Sequence, residues 1–418
     1  MPAARLPGAR LPAARLIGIG LGGFSLAAIW GTYNVFMPLL LGDFIESRAL
    51  RGAVMGLDNV VAVLLIPVVG AWSDRVAGRW GKRLPFLLAG MPLAALAFAG
   101  LPWAATALWT LLAVDVVFLL AVTLYRAPLV ALMPDHVAPA DRSAGNGVIT
   151  LMSALGGAVA LLALAPTFDA ARAAPFALAA LAALVALAVV VVAAERHPPY
   201  VEPGAAADDV PVLRGLGREL RALATPAHRG PAWLLAGLFG GFFGFAAVEA
   251  QFSTFATETL ALTGGEAGRA FGGASVAFLL VALPVGLLAR RLGELRVMRA
   301  GMGLLLAALV VVAAPWGGGF TYVGMALAGL GWAGVLVPAY PLVADQGGRD
   351  RIGTYTGLYY LVGSGAAIVA PAIVGASMDA FGNRALFVGA GAAVALGAWA
   401  LARAGRHGVE SASRLPAA

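Results

Sequence analysis

The chain has 418 residues, of which 61% are hydrophobic and only 12% are charged, with a formal net charge of +7. A soluble protein carries about 25% charged residues, so this composition excludes a soluble globular fold and places most of the chain in lipid. The lack of cysteine in the sequence excludes disulfides, thiolate metal sites and a cysteine nucleophile.

Apolar runs follow one another along the whole chain. Each is about 20 residues or longer, which is the length that crosses a hydrocarbon core of about 30 Å. The fold class that they predict is an all-α membrane protein with twelve transmembrane helices. The predicted helices span 17–42, 52–72, 84–102, 106–133, 144–167, 174–194, 232–257, 270–289, 297–315, 319–344, 352–378 and 384–402.

The first run contains a GxGxxG pattern at Gly18, Gly20 and Gly23, and Asp43 follows it. A dinucleotide site would need a strand before these glycines, and the preceding residues have no strand pattern. We therefore interpret the glycines as part of a membrane helix. The polar residues in the middle of the run also argue against a cleaved signal peptide.

Polar residues inside the first two runs are candidates for binding a substrate. They are Trp30, Tyr33 and Asn34 in the first run, and Asp58 and Asn59 in the second, about one turn from its outer end. Amide groups bind hydroxyls in both directions, as donors and as acceptors. A hydrogen bond between helices is the alternative role for each of these side chains.

The turn between the second and third runs carries a dense group of charges. It reads GAWSDRVAGRWGKRLPF from Gly70 to Phe86. We predict a latch in which Asp74 pairs with the basic residues and which breaks when the two halves of the protein tilt. Anchoring by positive charge alone is the alternative. The predicted latch residues are Gly70, Asp74, Arg75, Arg79, Lys82 and Arg83.

The fourth run contains two ionisable residues, Asp115 and Arg126. They are eleven residues apart, so they share one helical face and lie about 16 Å apart along the axis. An ionisable group at the bilayer centre costs at least a few kcal/mol, which makes both residues functional candidates. A structural pair that other helices neutralise is the alternative.

A polar, proline-containing segment at 195–231 divides the predicted helices six and six. We predict an N-terminal half at 1–194, a cytoplasmic linker at 195–231 and a C-terminal half at 232–418. Leucines and arginines on opposite faces of 212–223 suit a helix that lies on the membrane surface, and a solvated linker is the alternative.

The two halves share a motif after their fourth helix. PLVALMPDHVAPADRSAGNG begins at Pro128, and PLVADQGGRDRIGTYTG begins at Pro341. In both, an Asp lies twelve residues before the closing Gly, and an Asp-Arg pair lies between them. Matched halves of this kind are typical of transporters built from repeats.

The second half contributes further candidates. Glu249 in the seventh run is a second lone acid at membrane depth and competes with Asp115 for coupling to a proton, and Gln251 is a candidate for binding the substrate. Overlapping glycine pairs in the same run predict close helix packing. Weaker aromatic candidates are Trp332, Tyr340, Tyr359 and Tyr360.

Basic residues are unevenly distributed between the loops. With a cytoplasmic N-terminus, 22 of the 28 basic residues fall in cytoplasmic loops and five in the opposite loops. This bias predicts that both termini are cytoplasmic. The remaining basic residue is Arg126, inside a membrane helix.

The turn motif resembles the signature of the major facilitator superfamily, with Gly70, Asp74, Arg75 and the basic cluster from Arg79 to Arg83. Its extended form is similar to sucrose–proton symporters, which sit near the glycoside–pentoside–hexuronide cation symporters; Lys82 replaces a more usual Arg. YRAPL at 125–129 also resembles the fourth helix of the sucrose symporters. The resemblance implies two pseudo-symmetric halves, a protonatable Asp115 and a sugar-binding Arg126.

These observations predict a proton-coupled symporter of a disaccharide glucoside such as sucrose or maltose. The alternatives are a proton-driven exporter of small organic molecules and a sodium-coupled glycoside symporter. An enzyme is disfavoured because all four histidines fall in predicted loops and the sequence has no metal-binding spacing; no P-loop supports ATP-driven transport either. We expect no cofactor other than the coupling ion, no nucleic-acid partner, a monomer, and a bacterial inner membrane location.

Overall fold

The computed structural model describes residues 11–76, 78–200, 225, 228–314, 318–347 and 351–409. Within these ranges every regular element is helical, and twelve helices are long and apolar enough to cross a membrane, as the sequence predicts. They are α1 Ala13–Gly42, α2 Arg48–Arg75, α3 Leu84–Ala104, α4 Leu108–His136, α5 Arg142–Ala158, α6 Ala174–Ala193, α7 Arg229–Leu260, α8 Gly264–Leu292, α9 Glu294–Ala313, α10 Gly318–Asp345, α11 Ile352–Phe381 and α12 Ala385–Arg406. A π-helical turn, Val159–Leu164, and a short helix, Thr167–Ala170, extend α5.

Several helices begin earlier than the apolar runs predict. α2 begins at Arg48, so Asp58 lies ten residues inside it. That is about three turns from the helix start, and the predicted depth of Asp58, about one turn into the bilayer from the outer side, stays a prediction. His136, which the sequence placed in a loop, is the last residue of α4 and is fully buried. Hydropathy marks the apolar centre of a helix and misses polar end turns, which continue the same backbone hydrogen bonding.

The chain forms two compact units. Unit 1 comprises the described residues within Met1–Phe44, Asp58–Asp208 and Gly264–Gly272, and unit 2 those within Ile45–Leu57, Asp209–Thr263 and Gly273–Ala418. In unit 1, α1 packs against α5 and α6, and α3 packs against α4 and α6. In unit 2, α7 packs against α11 and α12, and α9 packs against α10 and α12.

The predicted division at 1–194, 195–231 and 232–418 stays a prediction. The surface helix predicted at 212–223 lies outside the described residues.

Glycines bring helices close together within each unit. A Cβ on Gly240 of α7 would lie 2.8 Å from the Cα of Gly397 on α12, so the two backbones are in direct contact. This confirms the close packing predicted from the glycine pairs of this helix. In the GxGxxG stretch of α1, a Cβ on Gly23 would lie 2.6 Å from the hydroxyl oxygen of Ser153 on α5. These glycines therefore pack helices.

Candidate functional site

A hydrogen bond between α1 and α4 lies at the centre of the site in unit 1. The Tyr33 hydroxyl donates to Oδ1 of Asp115 over 3.1 Å, although the two residues are 82 positions apart in the sequence. Tyr33 is 0% and Asp115 1% exposed. The Asp115 carboxyl is thus removed from solvent and held by the Tyr33 hydroxyl.

Aromatic rings surround this pair. Tyr33 meets Trp30 edge to face at 5.4 Å between ring centroids, and the ring of Phe118 lies 5.4 Å from Tyr33 and 6.0 Å from Trp30. Phe118 was missed in the sequence, although its position three residues after Asp115 places it on the same side of α4. The rings make the surroundings of Asp115 apolar, which penalises its charged form relative to its neutral form.

Arg126 lies at the other end of the polar face of α4. Its guanidinium carbon is 5.9 Å from the centre of the Trp30 ring, close enough for a cation–π interaction. Arg126 forms no ion pair with any residue that the structure describes. Among these residues, the Trp30 indole nitrogen and the Tyr125 hydroxyl are also buried without a hydrogen-bond partner. Trp30 and Tyr125 therefore each have an unpaired donor.

Asp58 is the third ionisable residue of the candidate site in unit 1. It interacts electrostatically with both Arg126 and Asp115, and its Oδ1 accepts a 2.6 Å hydrogen bond from the amide of Asn59. Asn34, next to Tyr33 on α1, is half-buried and has a partner of its own. The structure thus assembles Trp30, Tyr33, Asp58, Asp115 and Arg126 in one unit.

Two predicted site residues lie elsewhere, on α7 in unit 2. Glu249 is half-buried there. The Gln251 amide donates to the backbone carbonyls of Arg48, at 3.0 Å, and of Pro371, at 3.1 Å. Both amide hydrogens of Gln251 therefore hold helices together, whereas its amide oxygen is buried without a hydrogen-bond partner among the described residues, and its contact with a substrate stays a prediction.

A cluster of ion pairs lies at the start of α2. It includes Arg48, whose backbone carbonyl accepts the hydrogen bond from Gln251. Arg48 pairs with Glu258 of α7 at 2.5 Å and with Asp379 of α11 at 3.5 Å, and Arg51 pairs with Glu258 at 3.2 Å. All of these residues belong to unit 2. The sequence placed both arginines in a loop, and their pairing with acids more than 200 positions away left no local signal.

The role of the charged turn as a latch between the two halves stays a prediction. The turn is organised around Arg83, whose two ion-pair partners lie with it in unit 1. The Arg83 side chain pairs with Asp74 at the end of α2, at 2.6 Å, and with Asp135 near the end of α4, at 2.9 Å. It also donates to the hydroxyl of Ser73 over 2.6 Å. Burial opposes the charge of Arg83, but hydrogen bonds and charge from Asp135 and Asp74 outweigh burial and raise the pKa of its guanidinium above the ordinary value.

The other latch candidates do not pair with Asp74. Arg75 is exposed and forms no ion pair within the described ranges, and Arg79 lies 5.8 Å from the ring centre of Trp80. The carbonyl of Gly70 accepts a hydrogen bond from Ser73 over 2.8 Å. Lys82 lines a cavity beside the turn. Asp135, which the sequence singled out only through the repeat, is the third member of the ionic network.

Unit 2 contains a cluster of aromatic side chains. Phe245 and Trp332 stack at 4.3 Å with their planes 6° apart. Phe242 lies 5.5 Å from Trp332 and 5.7 Å from Tyr359, and Tyr359 in turn contacts Tyr340 and Tyr360. The four aromatic candidates of the second half are thus brought together with two phenylalanines of α7.

Comparison with known proteins gives one extended family match. A model of the Major Facilitator Superfamily matches residues 19–371 and 252–416 of the chain. An uncharacterized symporter of Synechocystis sp. is 33% identical over 73 residues, which are 17% of this chain and 13% of that protein. The matched segment therefore spans only a small part of that relative's length.

Solved structures share the fold over nearly the whole chain. The nucleoside transporter NupG has a TM-score of 0.74 at 13% identity, covering 94% of this chain and 99% of its own. A bacterial homolog of the human lysosomal transporter Spinster has a TM-score of 0.72 at 14% identity, covering 94% and 96%. The human organic anion transporter MFSD10 has a TM-score of 0.61 at 20% identity, covering 93% and 100%. At these identities the likeness shows the fold alone.

Proposed function

Since this chain belongs to the Major Facilitator Superfamily, and is therefore a secondary transporter and not an enzyme, we propose that it is a proton-coupled sugar symporter. The sugar is a disaccharide glucoside such as sucrose or maltose, and transport proceeds by alternating access. The bias of basic residues supports an orientation with both termini in the cytoplasm of a bacterium. The observation that carries this proposal is the sealed Tyr33–Asp115 pair beside an Arg126 that has open donors.

Arg126 and Trp30 suit the recognition of a sugar. The guanidinium presents several donors in one plane and can hold two hydroxyl oxygens at once. The partly exposed Trp30 ring beside it offers a flat apolar face for a pyranose ring, and its unpaired indole N–H adds a donor. Asn34 and Asn59 add amide groups that can donate and accept.

Asp115 suits the proton. As a carboxylate it accepts the hydrogen bond from Tyr33, and once protonated it can itself donate. Taking up a proton removes the charge from an apolar enclosure, so loading Asp115 stabilises the closed surroundings that reorientation of the carrier needs. Glu249 of unit 2 is the other membrane acid that could fill this role.

The network of Asp74, Arg83 and Asp135 suits a latch. Two carboxylates from the ends of α2 and α4 share one guanidinium, so separating these ends breaks charged hydrogen bonds on Arg83. The network involves none of the residues proposed to bind sugar. It therefore acts on the rate of reorientation and not on affinity.

Uptake into proteoliposomes tests the proposal. We expect radiolabelled sucrose or maltose to accumulate when the outside is made acidic and to stop accumulating when a protonophore collapses the gradient. Accumulation driven by a sodium gradient at constant pH would instead identify a sodium-coupled glycoside symporter. Proton-driven expulsion of organic cations, without any sugar uptake, would identify the exporter.

A further inference from the structure

The cavity that Lys82 lines in unit 1 lies beside the turn between α2 and α3. Its volume is about 230 Å³, and none of the residues assigned to sugar or proton lines it. The wall is made by the turn itself, by the last turn of α4, and by the segment that follows α6. Since the volume that water occupies in the liquid is about 30 Å³ per molecule, the cavity has room for a phosphate-sized group with several waters.

Each carboxylate in the wall is paired with an arginine, while the basic residues of the wall outnumber its carboxylates. Asp135 pairs with Arg83 at 2.9 Å, and Glu195 pairs with Arg15 at 2.7 Å. Lys82, Arg196 and His197 line the same cavity, yet none of them forms an ion pair within the ranges that the structure describes. The cavity therefore has an excess of positive charge that the protein itself does not balance.

The basic residues after α6 are held in place over the turn. His136 is fully buried; its Nδ1 lies 2.7 Å from the carbonyl of Leu132, and its Nε2 accepts from the backbone N–H of Glu195 over 2.8 Å. The next residue, Arg196, places its guanidinium 4.4 Å from the centre of the Trp80 ring.

Gly81 makes this approach of the two segments possible. It has a φ of +73°, and a Cβ at this position would overlap the carbonyl oxygen of Arg196. Only glycine satisfies both the left-handed backbone and the close contact. The backbone that carries Lys82 and Arg196 is thus fixed before any ligand arrives, which lowers the entropic cost of binding.

We propose that this cavity binds a phosphate-bearing anion, with Lys82 and Arg196 as its cationic contacts and His197 as a hydrogen-bond donor. Arginine binds phosphate oxygens in a bidentate manner, and lysine contributes a point charge. In the proposed orientation the cavity lies at the cytoplasmic membrane surface, where basic pockets bind the headgroups of anionic lipids. A free phosphorylated solute has the same chemistry, so the experiment separates the two sources.

The experiment uses the purified full chain in detergent with two probes. Phosphatidylglycerol is titrated and its retention is measured by native mass spectrometry, with phosphatidylcholine as the neutral lipid. Inorganic phosphate is titrated separately, and the midpoint of thermal unfolding is measured. The variants are Lys82→Gln with Arg196→Gln, the charge-conserving Lys82→Arg with Arg196→Lys, and the matched control Arg290→Gln with Arg291→Gln, whose two exposed arginines end α8.

We expect the loss of Lys82 and Arg196 to weaken phosphatidylglycerol binding by about tenfold or more, because two charge-assisted hydrogen bonds to the phosphate group are lost. The charge-conserving variant and the α8 control should bind as the wild type does. Phosphatidylglycerol retention without a response to inorganic phosphate identifies a lipid headgroup. A midpoint that inorganic phosphate raises in the wild type but not in the variant with Lys82→Gln and Arg196→Gln identifies a free anion. Both results support the proposal.

Three results would overturn it. The first is equal weakening by the cavity variant and the α8 control, which indicates diffuse attraction of charge. The second is that neither probe affects the wild type. The third is measured on the wild type alone. In this result the wild type retains phosphatidylcholine to the same extent as phosphatidylglycerol.

Discussion

Two ionisable side chains on one helix differ in what surrounds them. Asp115 is sealed beneath Tyr33 and Phe118, whereas Arg126, three turns along α4, is only partly covered and lies against the Trp30 ring. The sealed acid suits a small ligand such as a proton, and the open guanidinium suits a ligand with many hydroxyl groups. The sequence could identify both residues because charges are rare in apolar runs.

The contact between Tyr33 and Asp115 could not be predicted from the sequence. Both residues were candidates, but a hydrogen bond across 82 positions depends on how α1 packs beside α4. Phe118 could not be identified as a site residue, because a phenylalanine is common in an apolar run. The electrostatic interaction of Asp58 with both Arg126 and Asp115 also could not be predicted from the sequence.

At the residue scale, we predict that Arg126→Lys weakens sugar binding by about 10- to 100-fold. The charge remains, but the planar pair of donors is lost, and a hydrogen bond to a charged group contributes about 1.5–3 kcal/mol. Isothermal titration calorimetry on the purified protein measures the change. Arg269→Lys, at an exposed position on α8, is the control and should bind as the wild type does. Equal affinity in Arg126→Lys and wild type would show that the paired donors are not used.

At the element scale, the ends of α2 depend on partners far away in the sequence. Asp74 and Arg75 are neighbours in the chain, but consecutive side chains on a helix point in different directions, and the chain returns through the turn to present Arg83 instead. The sequence predicted a charged latch here and named its members, but it could not choose which basic residue makes the pair.

We predict that Asp74→Asn lowers the transport rate by up to about fivefold while sugar affinity stays nearly the same. The Asp74 side chain is 58% exposed, and pairs with exposed partners contribute at most about 1 kcal/mol. Initial uptake rates and calorimetric affinity are measured on the same preparation. Asp43→Asn, which breaks the exposed pair with Arg172 in the same unit, is the matched control. A large loss of affinity in Asp74→Asn would contradict the role as a latch.

The first turns of α2 are docked on α11 through glycine. A Cβ on Gly52 would overlap the backbone carbonyl of Pro371, next to the ion pairs of Arg48 with Glu258 and Asp379. We predict that Gly52→Leu pushes this part of α2 away from α11 and slows transport. Because the chain has no cysteine, a single Met55→Cys, at a position only 6% exposed, reports the change through labelling by an impermeant maleimide.

Labelling of this cysteine should rise severalfold in the Gly52→Leu background. The control is Gly303→Leu, since no atom lies within 4 Å of a Cβ at that position; it should leave the labelling unchanged. If Gly52→Leu and Gly303→Leu give the same labelling and the same transport rate, the docking of α2 on α11 is not tight.

At the scale of the whole molecule, the twelve helices follow from hydropathy because each must satisfy its backbone within the segment to cross lipid. The same rule does not assign helices to units. The first turns of α2 belong by their contacts to unit 2, and the first turns of α8 to unit 1. These memberships rest on pairings such as Arg48 with Glu258, and hydropathy carries no information about pairings.

Coupling is a property of the whole molecule, and we propose that Asp115 carries the proton. Asp115→Asn mimics the protonated carboxyl permanently, so it should abolish accumulation of sugar driven by a pH gradient. Sugar binding and the exchange of sugar across the membrane should persist, because Arg126 and Trp30 are unchanged.

The most direct measurement is therefore radiolabelled sugar uptake and sugar exchange in proteoliposomes containing wild type, Asp115→Asn or Glu249→Gln. We expect sugar exchange without sugar accumulation for Asp115→Asn, whereas Glu249→Gln should still accumulate sugar. Accumulation against a gradient by Asp115→Asn, together with its loss in Glu249→Gln, would contradict the account and place the proton on the acid of α7.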